Sequence, residues 1–412
     1  MDFTDSERLR KDISEGLREG ESLDTEIRED ILLEGLFNSA IACRKEFNWS
    51  KARIINKEQE LIRLKKSWDR NQDFVPEFKF KSFKHDESKA IELLNQLEKN
   101  VDNIDRETVS DLGLKTLDRH DLRNLFRGIF EEYKLYIELH SNISNREAWR
   151  DTCTDIWHFD NSTAKHAIKQ LNKRSFDDDR ESKDIKANRV AEMWSDEIRR
   201  LGMEDYTVEV RNVSGCHNVP EDRTLVVAAG DNRERKYSYG EAQLLTVHEV
   251  FHAVRCYNGF NTTSGSGLPP ILGVHTPFYD RAEEGGAVYR EFETGKLRDW
   301  KEKDYYLRTV AAYHWKKGMK FQDSVEKLVE LGASLKRAFA LVARNREILR
   351  HQVYLGGYLD WKGLNNRDMM MVGKTNKKWS EKVWKEVQNG SFNEPEITAK
   401  QMFQSNSFAF DA

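Results

Sequence analysis

The segment His248-Glu249-Val250-Phe251-His252 combines the residue types of a hydrolytic metal centre. On a helix, two histidines four residues apart share a face, one turn from each other, so both imidazoles can grip one ion from the same side. Zinc suits such nitrogen ligands. Glu249 is offset from the pair by one residue, where it can reach the attacking water without binding the ion itself. In that role it accepts a proton as the water attacks a peptide carbonyl and passes it to the leaving amine. With eleven histidines in 412 residues, such a pattern arises by chance on the order of three per cent of the time. The helical setting described below lowers that further. Two surface histidines on an ordinary helix are therefore the weaker reading, and one Zn2+ per chain is expected.

Two histidines leave the site incomplete, because a catalytic zinc takes three protein ligands and a water. The metzincin pattern requires Gly and His at positions where this chain has Arg255 and Asn258. The gluzincin pattern instead draws a glutamate from a later helix, and Asp280-Arg281-Ala282-Glu283-Glu284-Gly285-Gly286-Ala287-Val288-Tyr289 offers two. Each glycine costs about 1 kcal/mol inside a helix relative to alanine, so the pair points to close backbone packing, as a third-ligand helix pressed on the zinc helix needs. Glu283 is the preferred ligand and Glu284 the alternative. His275, Tyr279 and Tyr289 flank this segment and could donate to a tetrahedral intermediate, although side chains of these types more often serve structure. A peptidase acting at a C-terminus also needs a cation for the terminal carboxylate, for which a bidentate arginine is best suited. Arg255, Arg281 and Arg290 are near in sequence, but arginines beside carboxylates are more often in structural ion pairs.

The elements that must hold these residues follow from the flanking pattern. Ser238 and Glu241 form a capping box. Leu244, Val247, Val250, Phe251 and Val254 recur at helical spacing, and Asn258-Gly259 supplies a stop. Upstream, residues 206–211 alternate at period two and 223–229 form a β-branched run, which predicts two strands of a small sheet against the active-site helix. Helical patterns occupy about 24–75, 87–100, 119–141 and 163–200, then about 303–316, 321–331 and 334–350. Gly356-Gly357 and Gly363 break the pattern before a polar C-terminal tail. The expected class is α+β, predominantly helical: a helical region over 1–200, a zincin-like, gluzincin-type catalytic domain over 201–375 and a tail over 376–412.

Composition narrows the function classes. Hydrophobic residues make up 38% and charged residues 33%, with a formal charge of −4, so nothing draws the whole chain to nucleic acid or anionic lipid. The charged N-terminus lacks the apolar core of a signal peptide, and no run of eighteen apolar residues occurs. Cys43, Cys153, Cys216 and Cys256 are scattered, as in reduced proteins. These features predict a cytoplasmic protein without a membrane span or nucleic-acid partner. On that footing the glycosylation-like triplets at Asn48 and Asn261 are coincidental.

The runs HEVFHAVRCYNG and LPPILGVHTPFYDRAEEGGAVYRE resemble the metallopeptidases known by a QEGLA-type motif, a family that includes the microtubule-associated tyrosine carboxypeptidase. The likeness is clear over about 238–293 and extends weakly through Val353 to Gly357 and through Arg367-Asp368 to Gly373. It implies His248, His252 and Glu283 as ligands, Glu249 as base, and a carboxypeptidase-like activity on a peptide or protein C-terminal tail. Gly286 stands where that motif usually has leucine, and a tubulin substrate is not carried over. A zinc-holding but idle interaction module is the competing class; the intact Glu249 argues against it. A metal hydrolase acting on a bond other than an amide is weaker still.

Overall fold

Six prolines in 412 residues leave long leucine-, glutamate- and lysine-rich stretches uninterrupted, and they fold as helices. The computed structural model describes residues 25–46, 54–81, 87–177, 181–230, 234–347 and 350–403. Its first half runs α1 (Thr25–Glu46), α2 (Lys57–Asp69), α3 (Glu87–Val101), α4 (Arg106–Asp111), α5 (Arg119–Ser141), α6 (Arg146–Trp157) and α7 (Asn161–Lys173). α5 shows how local the cause is. Asp118 caps it by accepting from the Asp121 amide, and Leu122, Leu125, Phe126, Ile129, Phe130 and Tyr133 recur at three- and four-residue steps and are buried. The pattern expected over 163–200 is divided: β1 (Ile185–Lys186) precedes a separate helix, α8 (Ala187–Arg200).

The expected strands form, as β2 (Thr207–Arg211) and β4 (Thr224–Ala228), with the short β3 (His217–Val219) between them in sequence. β4 is central. It pairs in parallel with β2, Thr207 opposite Thr224, and antiparallel with β3, His217 opposite Val226. Every residue of β4 is buried, which its unbroken β-branched run requires. α8 lies against β2 and β4. β5 (Lys236–Tyr237) pairs with β1 and leads into α9 (Tyr239–Thr262), the helix that carries both histidines.

After α9 come α10 (Ile271–Val274), α11 (Asp280–Glu293), α12 (Asp299–Lys316), α13 (Phe321–Glu330), α14 (Leu335–Arg344), α15 (Gln352–Lys362), α16 (Lys377–Gln388) and α17 (Ala399–Phe403). Two expectations are corrected here. Gly356 and Gly357 do not break a helix; they lie inside α15, where a Cβ on Gly357 would fall 1.9 Å from the Arg281 carbonyl oxygen. On the facing helix, a Cβ on Gly285 would lie 2.2 Å from the Gly357 Cα. Small residues let α11 and α15 pack backbone to backbone. Nor is the region after residue 375 a loose tail. Trp379, Val383, Val387 and Phe392 enter one hydrophobic core, while Ile397, Ala399 and Met402 enter the other. Both cores mix residues from before and after residue 200.

Candidate metal centre

The serine half of the expected capping box forms at the start of α9, where the Ser238 hydroxyl oxygen accepts from the Glu241 amide at 3.1 Å, but among the described residues the glutamate does not reach back. The Glu241 carboxylate pairs with Lys183 and Arg235. The helix does not stop at Asn258-Gly259 but continues to Thr262. Asn258 is fully buried, donating to the Ile397 carbonyl at 2.8 Å and accepting from the Ile397 amide at 3.0 Å. A Cβ on Gly259 would lie 2.3 Å from the Leu272 carbonyl oxygen, so this glycine admits a neighbouring backbone.

On α9, His248 and His252 turn their Nε2 atoms toward one carboxylate of α11. The Glu284 Oε2 lies 3.3 Å from His248 Nε2 and 3.8 Å from His252 Nε2. These three residues bring one potential ligand atom each within 4.8 Å of the others. The opposite ring nitrogens are held by further carboxylates, His248 Nδ1 by Glu291 at 2.7 Å and His252 Nδ1 by Glu283 at 3.1 Å. A carboxylate accepting from Nδ1 orients the ring with Nε2 toward the shared point, the arrangement that surrounds metal-binding histidines. The other oxygen of Glu284, Oε1, accepts from Arg350 at 2.6 Å. Its Oε2 is buried without a hydrogen-bond partner among the described residues, a state that costs free energy unless something else binds there. Two imidazole nitrogens and one orphaned carboxylate oxygen are a donor set that fits zinc.

Glu283, the ligand expected from the sequence, stands elsewhere. Its carboxylate accepts from Arg255 at 2.7 Å and Lys374 at 2.6 Å, besides meeting His252 Nδ1. Adjacent residues on a helix point about 100° apart. With the Gly285 face of α11 pressed on α15, Glu284 turns to the histidine Nε2 atoms and Glu283 to the buried cations. Burial alone would raise the Glu283 pKa, but Lys374, Arg255 and His252 hold it well below the carboxylate range. Arg350 and the two histidines do the same for Glu284 against its own burial. Burial would lower the His248 pKa, yet the Glu284 and Glu291 carboxylates that flank its ring raise it to about 10.

Glu249 is buried, 8% exposed, and makes no hydrogen bond or ion pair among the described residues. Its charge reaches Cys216, whose thiol is pushed up to about 11 by burial and by Glu249. The remaining expected site residues are occupied elsewhere. Arg255 is fully buried and donates to Met370 and Thr375 carbonyls besides Glu283. Arg281 pairs with Asp360, and Arg290 with Glu197 and the Val247 carbonyl. His275 meets Glu132 at 3.1 Å and stacks on Tyr133. Tyr279 lies edge-on to His275, with the Lys374 ammonium over its ring. Tyr289 packs between Trp361 and Phe403.

Sequence reasoning missed Glu291, Tyr305, Arg350 and Lys374. Tyr305 donates to both oxygens of Glu291. Glu291 was findable, since it follows Glu284 by seven residues and so shares its face of α11. Arg350 and Lys374 come from segments with no local signal.

Two chain-wide comparisons are without result: no curated protein and no solved structure matches the chain. The family model described as microtubule-associated tyrosine carboxypeptidase matches residues 68–407, from the end of α2 past α17, and takes in the helical half in which no likeness was expected. That span covers the histidine helix, the glutamate helix and most of both cores, and on it the chain belongs to the microtubule-associated tyrosine carboxypeptidase family.

Proposed function

We propose that this protein is a zinc-dependent, carboxypeptidase-like peptidase with a gluzincin-type centre, in which His248, His252 and Glu284 hold the ion and Glu249 is the general base. The observation that carries this reading is the convergence of His248 Nε2, His252 Nε2 and the otherwise unpartnered Glu284 Oε2. When bound, zinc supplies a Lewis acid and brings the pKa of a water toward neutrality. Glu249, free of other partners, takes the proton from the attacking water and returns it to the leaving amine. Glu291 and Glu283 keep the imidazoles aimed, and Tyr305 keeps Glu291 in place. The family's name supports a substrate bearing a C-terminal residue to be removed, so a peptide or protein tail is the proposed substrate. No helix among the described residues is long and apolar enough to cross a membrane, which agrees with action on a dissolved tail.

The test is digestion of a peptide library, read by mass spectrometry, with zinc-supplemented protein and its Glu249→Gln variant. Loss of C-terminal residues is expected from the parent. The variant should retain its zinc and lose activity by at least about a thousandfold, at the scale of general-base losses. An inert parent, or a variant that cuts nearly as well, would refute the reading.

A further inference from the structure

A second site lies beside the metal centre and is built from cations. A cavity of about 340 Å3 is lined by Lys57, Arg308, Arg337, Arg344, Arg350 and His351. These residues come from α2, α12, α14 and the segment entering α15, so the tertiary fold assembles them; no single charged helix face does. Their counter-charges are too few. Asp304 serves both Arg308 and Arg337, and Glu347 serves both Lys57 and Arg344. Four cations therefore share two carboxylates, and among the described residues no acidic one lines the cavity itself. Several of these side chains are withdrawn from water: Arg308 is 22% exposed and Arg350 13%.

His351 adds an independent sign. It is 7% exposed, and its Nδ1 is buried without a hydrogen-bond partner among the described residues. Burial, reinforced by Arg308 and Arg344, holds its pKa well below the usual histidine value. The ring is therefore neutral, and Nδ1 can carry a hydrogen for an incoming oxygen.

We propose that this cavity binds a small, multiply charged oxyanion of the phosphate class between Arg308, Arg337, Arg344 and Lys57. Guanidinium forks match phosphoryl oxygens in paired hydrogen bonds, and the cavity volume is at the small end of ligand pockets. The cations at the cavity still outnumber their described carboxylate partners when Asp280 and Glu284 on Arg350 are counted. A compact oxyanion with several oxygens can bond more than one of these side chains at once, whereas a carboxylate offers only two oxygens. Arg350 also donates to Glu284, so one side chain joins this site to the candidate metal centre. The anion site does not depend on the peptidase reading.

Titration calorimetry on the full-length chain tests it, with inorganic pyrophosphate, a nucleoside triphosphate and tetraglutamate as probes at matched ionic strength. One pyrophosphate per chain should bind with a Kd at or below about 1 mM. Arg337→Gln with Arg344→Gln should weaken it by at least about tenfold, and the variant Lys57→Gln, which leaves Glu347 its second partner Arg344, by a few-fold. Zinc can itself attract phosphates, but binding there would survive all three substitutions. A triphosphate that binds much tighter than pyrophosphate identifies a phosphorylated metabolite as the source; equal affinities identify the free anion. Failure to saturate near 10 mM, affinities unchanged in the variants, or tetraglutamate outcompeting pyrophosphate would each overturn the proposal.

Discussion

Two neighbouring glutamates divide the work around the candidate metal. Glu284 presents an unpartnered oxygen to the histidine Nε2 atoms, whereas Glu283 neutralises Arg255 and Lys374, which are 0% and 4% exposed. Their removal should therefore fail in different ways. Glu284→Ala removes the proposed ligand and should abolish tight zinc binding, while the melting temperature of the metal-free protein changes little because Arg350 keeps Asp280 as its partner. Glu283→Ala leaves two buried cations unpaired, a loss of about 3–5 kcal/mol, and frees His252 Nδ1, which should weaken zinc about 10–100-fold. Chelator competition and thermal melts on both variants measure the two effects. If Glu283→Ala were the variant that loses the metal with its stability intact, the ligand assignment would revert to Glu283.

At the scale of elements, the decisive contact is between α11 and α15. Gly285 faces Gly357 so closely that any side chain must push the helices apart, and that separation would also rotate Glu284 away from the histidines. Gly285→Ala should destabilise the protein by about 1–3 kcal/mol or more and lower zinc affinity in parallel. Gly215→Ala is the internal control: nothing lies within 4 Å of its added Cβ, and its effect should stay within about 0.5 kcal/mol. Urea denaturation of both variants supplies the comparison. Equal stabilities would mean that the two helices can part without strain.

For the molecule as a whole, the C-terminal segment is a structural member. Residues after 376 contribute Trp379, Val383, Val387 and Phe392 to one core and Ile397, Ala399 and Met402 to the other. The Ile397 backbone also satisfies the buried Asn258 of the histidine helix. At about 1.5–3 kcal/mol per buried apolar side chain, their sum matches or exceeds the whole stability of a domain, about 5–15 kcal/mol. A chain ending at residue 376 should therefore be unfolded or rapidly proteolysed, as circular dichroism and limited trypsinolysis would show. A truncated protein with an undiminished cooperative melt would contradict this account of the two cores.

The sequence by itself determined whatever depends on short-range periodicity. The spacing of His248 and His252 on a helix begun by Ser238, the buried stripe of Arg119–Ser141 and the paired runs of β2 and β4 are all local consequences of side-chain pattern. It also named both glutamates and, from the glycine pair, a tightly packed helix, although the backbone that Gly285 meets is that of α15 and not of the histidine helix. It did not determine which glutamate faces the histidines, because α11 can present either until a partner fixes its rotation, and that partner, α15, lies more than sixty residues on. Glycines at 259, 356 and 357 looked like breaks for the same reason: a helix stop and a close backbone approach both demand a missing side chain, and the sequence around them is alike. Arg350 and Lys374 reach the site from irregular segments, held by long-range contacts such as the 2.7 Å bond from the Lys374 amide to the Leu272 carbonyl. Such contacts have no period to read, so only the folded chain decides them.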